Sequence, residues 1–302
     1  MSALLLELSA AAGLADSLCR ELGCERGELE RRQFPDGESY VRIGSAVERR
    51  DVILLCSLDD PDAKVLPLLF VAEAARAQGA RSVGLVAPYL AYMRQDKAFR
   101  SGEAVTSRIF ASIISDLLDW LVTIDAHLHR HRDLGGIYSV PVVNASAVET
   151  IGCWVRSEVE QPLIIGPDEE SRQWVERIAK VAGARLAVLS KSRSGDFSVA
   201  VDDAGLAGLG SGTAVIVDDI ASSASTLIET VNLLERHGYT SPVCVVVHPI
   251  FAGDSYDRLV EAGAGQIVST NTIAHHSNAI DISGPLAEAV AKCVETTPRP
   301  RR

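Results

Sequence analysis

An α/β fold built on parallel sheets is what the sequence predicts, and three observations predict it. Short β-branched apolar runs alternate with helix-length amphipathic segments along most of the 302 residues, the rhythm of parallel α/β domains. Runs such as Ala214-Val215-Ile216-Val217 are apolar without alternation, as in strands covered on both faces. The chain is twice the length of an average domain, at roughly 150 residues each, so two similar domains with sheets flanked by helices are expected.

The elements follow in order. Val52–Cys56 is the first predicted buried strand, and the amphipathic segment Pro61–Gln78 the helix after it, stopped by Gly79, which suits a left-handed helix end. Ser82–Ala87 and Trp120–Ile124 are strands on either side of a helix over Ala104–Leu117. The series pauses at Leu134–Pro141 and restarts, which places a boundary between domains 1–142 and 143–302. Beyond it come the strand Leu163–Ile165, the helix Ser171–Val181 and the strand Leu186–Leu189. Ala214–Val217 leads into a helix over Ser223–His237, ended by Gly238, and Val243–Val247, Ser255–Glu261 and Gln266–Ser269 complete the alternation. The halves share a plan of strand, polar loop and helix without residue-level self-similarity. The tail Thr296–Arg302, with two Pro and three Arg, is expected to fray.

Composition narrows the function classes. With 29 basic and 40 acidic residues the net charge is −11, so no general attraction to nucleic acid or to an anionic membrane exists, and an anionic substrate must find a local positive site. The six cysteines form no CxxC pair, which favours a reduced, cytoplasmic chain. Met1–Leu8 lacks a basic region and meets Glu7 early, and the apolar run Val65–Ala72 stops at Glu73, far short of the ~20 residues a membrane helix requires.

The strongest local signal runs from Ala214 to Thr226. A buried strand delivers Asp218 and Asp219 to its carboxyl end, where open α/β sheets bind ligands. The vicinal carboxylates can hold sugar hydroxyls or a hydrated Mg²⁺. The small residues Ser222, Ser223, Ala224, Ser225 and Thr226 then open a helix, and such a loop can aim amides at a phosphate beside the helix dipole. The plainer alternative is a helix capped by Ser222 or Ser223 with both acids merely solvated. Elsewhere the residues alone leave comparable choices open. Phe34-Pro35-Asp36-Gly37-Glu38 is a turn that would serve as an ordinary hairpin entry. Arg94 with Gln95 could grip phosphates or face solvent. His127, His129 and His131, spaced by two, would ordinarily raise zinc. Lys191 and Arg193 before Ser194-Gly195-Asp196 could close over a transferring group or lie in a solvated turn.

Ala214–Thr226 resembles the phosphoribosyl-diphosphate motif of type I phosphoribosyltransferases. Six further stretches, in the same order, resemble the ribose-phosphate pyrophosphokinase family: Gln33–Arg42, Ala87–Asp96, Thr123–His127, Gly166–Asp168, Lys191–Arg193 and His248–Phe251. The resemblance spans roughly residues 30 to 290. It implies two phosphoribosyltransferase-type domains with the active site between them, completed by a neighbouring subunit of a homo-oligomer, dimer or hexamer. It also implies transfer of the diphosphoryl group of MgATP to ribose 5-phosphate, with AMP and 5-phosphoribosyl 1-diphosphate as products. By the same resemblance Phe34, Asp36 and Glu38 take the adenine, Arg94 the phosphates and Gln95 the adenosine. His127 and Asp168 take Mg²⁺, which leaves His129 and His131 exposed. Lys191 and Arg193 belong to the catalytic loop, Asp218 and Asp219 hold the ribose hydroxyls, and Ser222 to Thr226 bind the 5-phosphate.

Two departures from the family pattern concern the sugar side. Ala224 and Ser225 stand where glycines are usual, and Glu169-Glu170-Ser171 replaces a Gly-Gly element. They motivate a diphosphokinase acting on another phosphorylated or nucleotide-linked ribose, and a non-catalytic regulatory homologue. A phosphoribosyltransferase that consumes the activated sugar is a third alternative, opposed by the Phe34–Glu38 and Arg94-Gln95 motifs.

Overall fold

The computed structural model describes residues 3–98, 100–128, 133–169, 171–193, 199–202 and 210–296. They divide into two compact units, Met1–Ser146 with Thr272–Ala274 and Ile282–Arg302, and Ala147–Asn271 with His275–Asp281.

In the first unit the chain runs through β1 (Ala3–Ser9), α1 (Leu14–Leu22), β2 (Glu25–Arg26) and a hairpin of β3 (Leu29–Gln33) and β4 (Ser39–Ile43). It continues with β5 (Asp51–Cys56), α2 (Asp62–Ala77), β6 (Ser82–Ala87), α3 (Thr106–Leu117), β7 (Trp120–Ile124) and β8 (Val142–Ala145). Six of these strands form a parallel sheet in the order β2-β1-β5-β6-β7-β8, while β3 and β4 pair antiparallel. The strands β5, β6 and β7 are buried at every residue, as unalternating apolar runs predict. β1 is absent from the sequence reading. Leucine lacks the β-branch that marks a strand, so Ala3–Ser9 is legible only through its partner: Leu4 pairs with Val52 and Leu5 with Ile53. The sheet centre is closely fitted, since a Cβ on Gly84 would lie 1.9 Å from the Trp120 ring. Only glycine lets that fully buried indole cross the neighbouring strand.

The second unit repeats the plan. After α4 (Val148–Glu158) come β9 (Pro162–Gly166), α5 (Arg172–Ala182), β10 (Arg185–Val188) and a hairpin of β11 (Ser190–Arg193) and β12 (Val199–Asp202). Then follow β13 (Thr213–Ala221), α6 (Ser225–Arg236), β14 (Val243–Pro249), α7 (Ser255–Glu261), β15 (Gln266–Thr270), β16 (Asn278–Ile280) and α8 (Ser283–Thr296). Its parallel sheet has the order β10-β9-β13-β14-β15-β16. Relative to chain order the two sheets are strung identically, each with an antiparallel hairpin between its second and third strands.

Packing does not cut the chain once, at 142/143. α4 packs on α5 in the second unit, while α8 returns to the first, against α1, β7 and β8. The cause is the apolar stripe Leu286, Ala289, Val290 and Cys293, all buried, at the spacing of one helix face. The six cysteines are free thiols. Among the described residues no helix is long and apolar enough to cross a membrane.

Candidate functional site

Arg94, Gln95, His127, Asp168, Asp218, Asp219 and Ser222–Thr226 lie toward or beyond the carboxyl ends of parallel strands, where such sheets bind ligands, whereas Phe34–Glu38 and Lys191–Arg193 lie on the two antiparallel hairpins. In the first unit the β3–β4 hairpin carries the turn Phe34–Glu38, closed by bonds from Phe34 N to Glu38 O at 2.8 Å and from Gly37 N to Phe34 O at 2.9 Å. Asp36 Oδ1 accepts from Glu38 N at 3.2 Å. Phe34 is 39% exposed. Its ring meets Tyr40 edge-on at 6.0 Å, and the Arg32 guanidinium lies 4.5 Å from the Phe34 centroid and 4.1 Å from that of Tyr40. The hairpin thus presents an aromatic ring, stiffened by a cation–π contact, with two carboxylates beside it.

Beyond β6 the chain turns at Tyr92, which adopts φ 61°, a left-handed conformation costly for any side chain with a Cβ. Tyr92 donates its hydroxyl hydrogen to Asp62 at the start of α2 and packs on Phe110 at 4.8 Å. That bond, then burial, pushes the Tyr92 phenol up to about 12. The turn sends Arg94 out exposed and Gln95 half-buried. Beyond β7, Asp125 takes φ 34°. Ala126 N donates to Asn144 Oδ1 at 2.9 Å, fixing the segment that holds half-buried His127. Asp62 and Asn144 are positioning residues that sequence reasoning missed, because nothing in the linear chain ties them to turns 30 and 18 residues away.

In the second unit Asp168 follows β9 half-buried, and Ser171 N donates to its Oδ1 at 2.9 Å. Glu169 takes a two-pronged pair with Arg172, both contacts at 2.6 Å, and that bond holds its carboxyl below the usual range. Glu170, His129, His131 and Ser194-Gly195-Asp196 lie outside the described residues. Lys191 and Arg193 occupy alternate places in β11, opposite Val201 and Val199 of β12. β13 runs past the expected end at Val217, so half-buried Asp218, Asp219 and Ile220 lie within it before buried Ala221, and Asp218 Oδ1 accepts the Asp219 N–H at 3.0 Å. The Asp218 charge adds to the burial that pushes the Cys244 thiol up to about 12.

The loop after β13 excludes the serine cap of the plainer alternative. Neither Ser222 nor Ser223 caps α6. The cap position belongs to Ala224, at φ 55° and ψ 13°, and no side-chain cap bond is made there among the described residues. A left-handed alanine costs roughly 1–2 kcal/mol, so the surroundings must impose it. The residues just before it are held by hydrogen bonds from Phe251 N to Ala221 O at 2.7 Å, from Ala252 N to Ser222 O at 2.9 Å and from Ser255 Oγ to Ser222 O at 2.8 Å, and the Ser223 and Ser225 hydroxyls meet across it at 3.1 Å.

A metal in this setting would find a sparse protein donor set. Among the described residues no group of three or more His, Cys, Asp and Glu forms a cage. Magnesium that arrives with a nucleotide takes most of its ligands from phosphate and water and one or two from protein. His127 in the first unit and Asp168 in the second are each half-buried just beyond a parallel strand.

Comparison with known proteins decides the family. Residues 3–117 match the model of the N-terminal domain of ribose phosphate pyrophosphokinase, and residues 145–276 that of the phosphoribosyl transferase domain. A ribose-phosphate pyrophosphokinase from Methanopyrus kandleri is 31% identical over 95% of this chain and 98% of its own length. The chain belongs to the ribose-phosphate pyrophosphokinase family. Another relative of that name, from Methanosarcina mazei, is 31% identical over 92% of each chain. The fold is that of the phosphoribosylpyrophosphate synthetase of Mycobacterium smegmatis, with a TM-score of 0.83 at 24% identity over 98% of this chain and 99% of that one. As a family member the chain is an enzyme of the ribose-phosphate diphosphokinase class.

Proposed function

We propose that the protein transfers the β,γ-diphosphoryl group of ATP to the anomeric hydroxyl of ribose 5-phosphate, releasing AMP and 5-phosphoribosyl 1-diphosphate. The observation that carries this reading is the end of β13, where two carboxylates emerge from a buried strand beside a loop of small residues opening α6. Asp218 and Asp219 hold the 2- and 3-hydroxyls, and Ser222 to Thr226 take the 5-phosphate. Phe34 stacks on adenine while Asp36 and Glu38 accept from its polar edge. Arg94 binds the ATP phosphates and Gln95 the adenosine. Lys191 and Arg193 neutralise charge that builds on the transferring group. His127 and Asp168 would hold Mg²⁺, which when bound would supply positive charge to the phosphates. With a protein net charge of −11, these few local cations and the ion must outweigh an unfavourable background field. The enzyme works in the cytoplasm as a homo-oligomer, to be checked by light scattering.

The test is to incubate the pure protein with MgATP and ribose 5-phosphate and identify the products by mass. AMP together with phosphoribosyl diphosphate is expected, and no AMP would overturn the reading. A second reading, transfer to another phosphorylated ribose, draws on the left-handed Ala224, where the family has glycine. A panel of acceptors separates the two, since preference for ribose 5-phosphate excludes the second. The Glu169–Arg172 pair weakens the other motive for it, because that carboxylate is already matched by a cation.

A further inference from the structure

We infer that Ser255, at the start of α7, is a positioning residue for the phosphate loop. Together with Phe251 and Ala252 it forms a clamp that does the work glycines do in related loops. The inference rests on reading Ser222–Thr226 as the 5-phosphate loop.

In a trans peptide the carbonyl of one residue and the N–H of the next point to opposite sides, and no peptide described is cis. The Ala221 carbonyl is drawn back onto Phe251 N at 2.7 Å. Ser222 N–H therefore faces the other way. The Ser222 carbonyl is drawn back by two donors, Ala252 N at 2.9 Å and Ser255 Oγ at 2.8 Å. Ser223 N–H is thereby turned to the same outer side as Ser222 N–H. Two successive amides facing outward before a helix make a concavity suited to an anion.

A glycine-rich loop reaches such a shape without penalty, whereas Ala224 must be held at φ 55°. Among the described residues Ser255 is the side chain from outside the loop that bonds its main chain, while within the loop the Ser223 and Ser225 hydroxyls meet at 3.1 Å. Ser255 is 1% exposed, so its hydroxyl works in a setting where water competes little. Its base is also fixed, because Phe251 at φ 36° packs edge-on to Tyr256 at 5.2 Å and on His275 at 4.9 Å. Phe251 closes the last family-like stretch, His248–Phe251, whereas Ser255 lies four residues beyond it and no sequence motif includes it.

The test is a double-mutant cycle on the full chain. Ser255→Ala leaves Ser222 O its bond from Ala252 N, so the fold is kept, and the Kd for ribose 5-phosphate by calorimetry should rise about tenfold. Binding of a non-hydrolysable ATP analogue should change by less than about twofold. Ser255→Thr, which keeps a hydroxyl, should recover affinity. Adding Ala224→Gly should improve ribose 5-phosphate binding more in the Ser255→Ala background than in the native one, because glycine needs no clamp. Additive effects, an equal loss at the nucleotide, or an unchanged Kd would overturn the inference. Failure of the native protein to bind ribose 5-phosphate would instead overturn the reading beneath it.

Discussion

The loops after β5 and after β13 occupy the same place in two sheets of identical stringing, yet their peptides face opposite ways. In the first unit Ser57 N donates to Ser9 O at 2.7 Å and Leu58 N to Tyr89 O at 3.0 Å, so the amides are spent inside the fold. Lys64 Nζ reaches the Ser57 carbonyl at 3.0 Å and Asp59 at 2.7 Å, and Asp60 takes the left-handed position at φ 49°. In the second unit the carbonyls of Ala221 and Ser222 accept from Phe251 N and Ala252 N, which by trans-peptide geometry turns the following amides the other way. The segment after β6 accepts a bond through Tyr89, where the segment after β14 donates through Phe251 and Ala252. Topology alone does not make an anion site: the direction of two peptides and the charge of the loop decide it. The paired hairpins diverge in the same manner, β3–β4 carrying Phe34 with two acids and β11–β12 carrying Lys191 and Arg193.

The hairpins offer the largest test of that contrast. Arg193→Ala should lower kcat by roughly 10³-fold with little change in the KM for ATP, as for other cations that act on charge developing in phosphoryl transfer. A kcat near the native value would remove β11 from the chemistry. The loops come next. Ser223→Asp places in the second unit the kind of acid the first unit has at Asp59, and should raise the KM for ribose 5-phosphate roughly 10²-fold through repulsion at short range. The reciprocal Asp59→Ser should leave that KM in place. Equal effects of the two substitutions would mean that the loops are not specialised. Smaller still, Phe34→Ala should raise the KM for ATP about tenfold with kcat nearly kept, the loss of one base-stacking contact. A fall in kcat as large as that of Arg193→Ala would show that both hairpins serve the transfer step.

How much of this was legible in the chain depended on whether a feature is local. Buried strands such as Val52–Cys56 and Trp120–Ile124 announce themselves by composition, and α7 falls at Ser255–Glu261 as its pattern predicts. The acids at Asp218 and Asp219 and the family-like stretches were equally readable, because each is a short run with its own chemistry. β1 was not, since seven residues rich in leucine become a strand only against β5. The destination of α8 was hidden for the same reason: an apolar stripe tells that a helix packs, and only the fold tells on what. The clamp was the least visible. Ser255 looks like an ordinary helix opener, and its bond to a carbonyl 33 residues earlier leaves no trace in the sequence between.

The smallest effect separates the supports behind the two loops by their response to acid. In the first unit the turn after β6 is held by Tyr92 on Asp62, and the phenol, raised to about 12, stays protonated throughout the acid and neutral range. In the second unit the ring cluster beside the clamp includes His275, 5.2 Å from Tyr256 and 4.1 Å from His276. Burial, and then the neighbouring His276, hold its imidazole below the usual histidine value. The folded state therefore favours neutral His275, and the unfolded chain takes the proton first as pH falls. The stability this residue contributes is complete above about pH 6.5 and is lost as pH drops through the lowered value. His275→Asn should remove that dependence. Between pH 7.5 and 5.5 the difference in Tm between the native protein and His275→Asn should shrink by about 2 °C at most, since His275 is only half-buried. Over the same interval Tyr92→Phe should lower Tm by a constant amount. A pH-dependent Tyr92→Phe effect, or a His275→Asn effect equal at both pH values, would erase the distinction between the two supports.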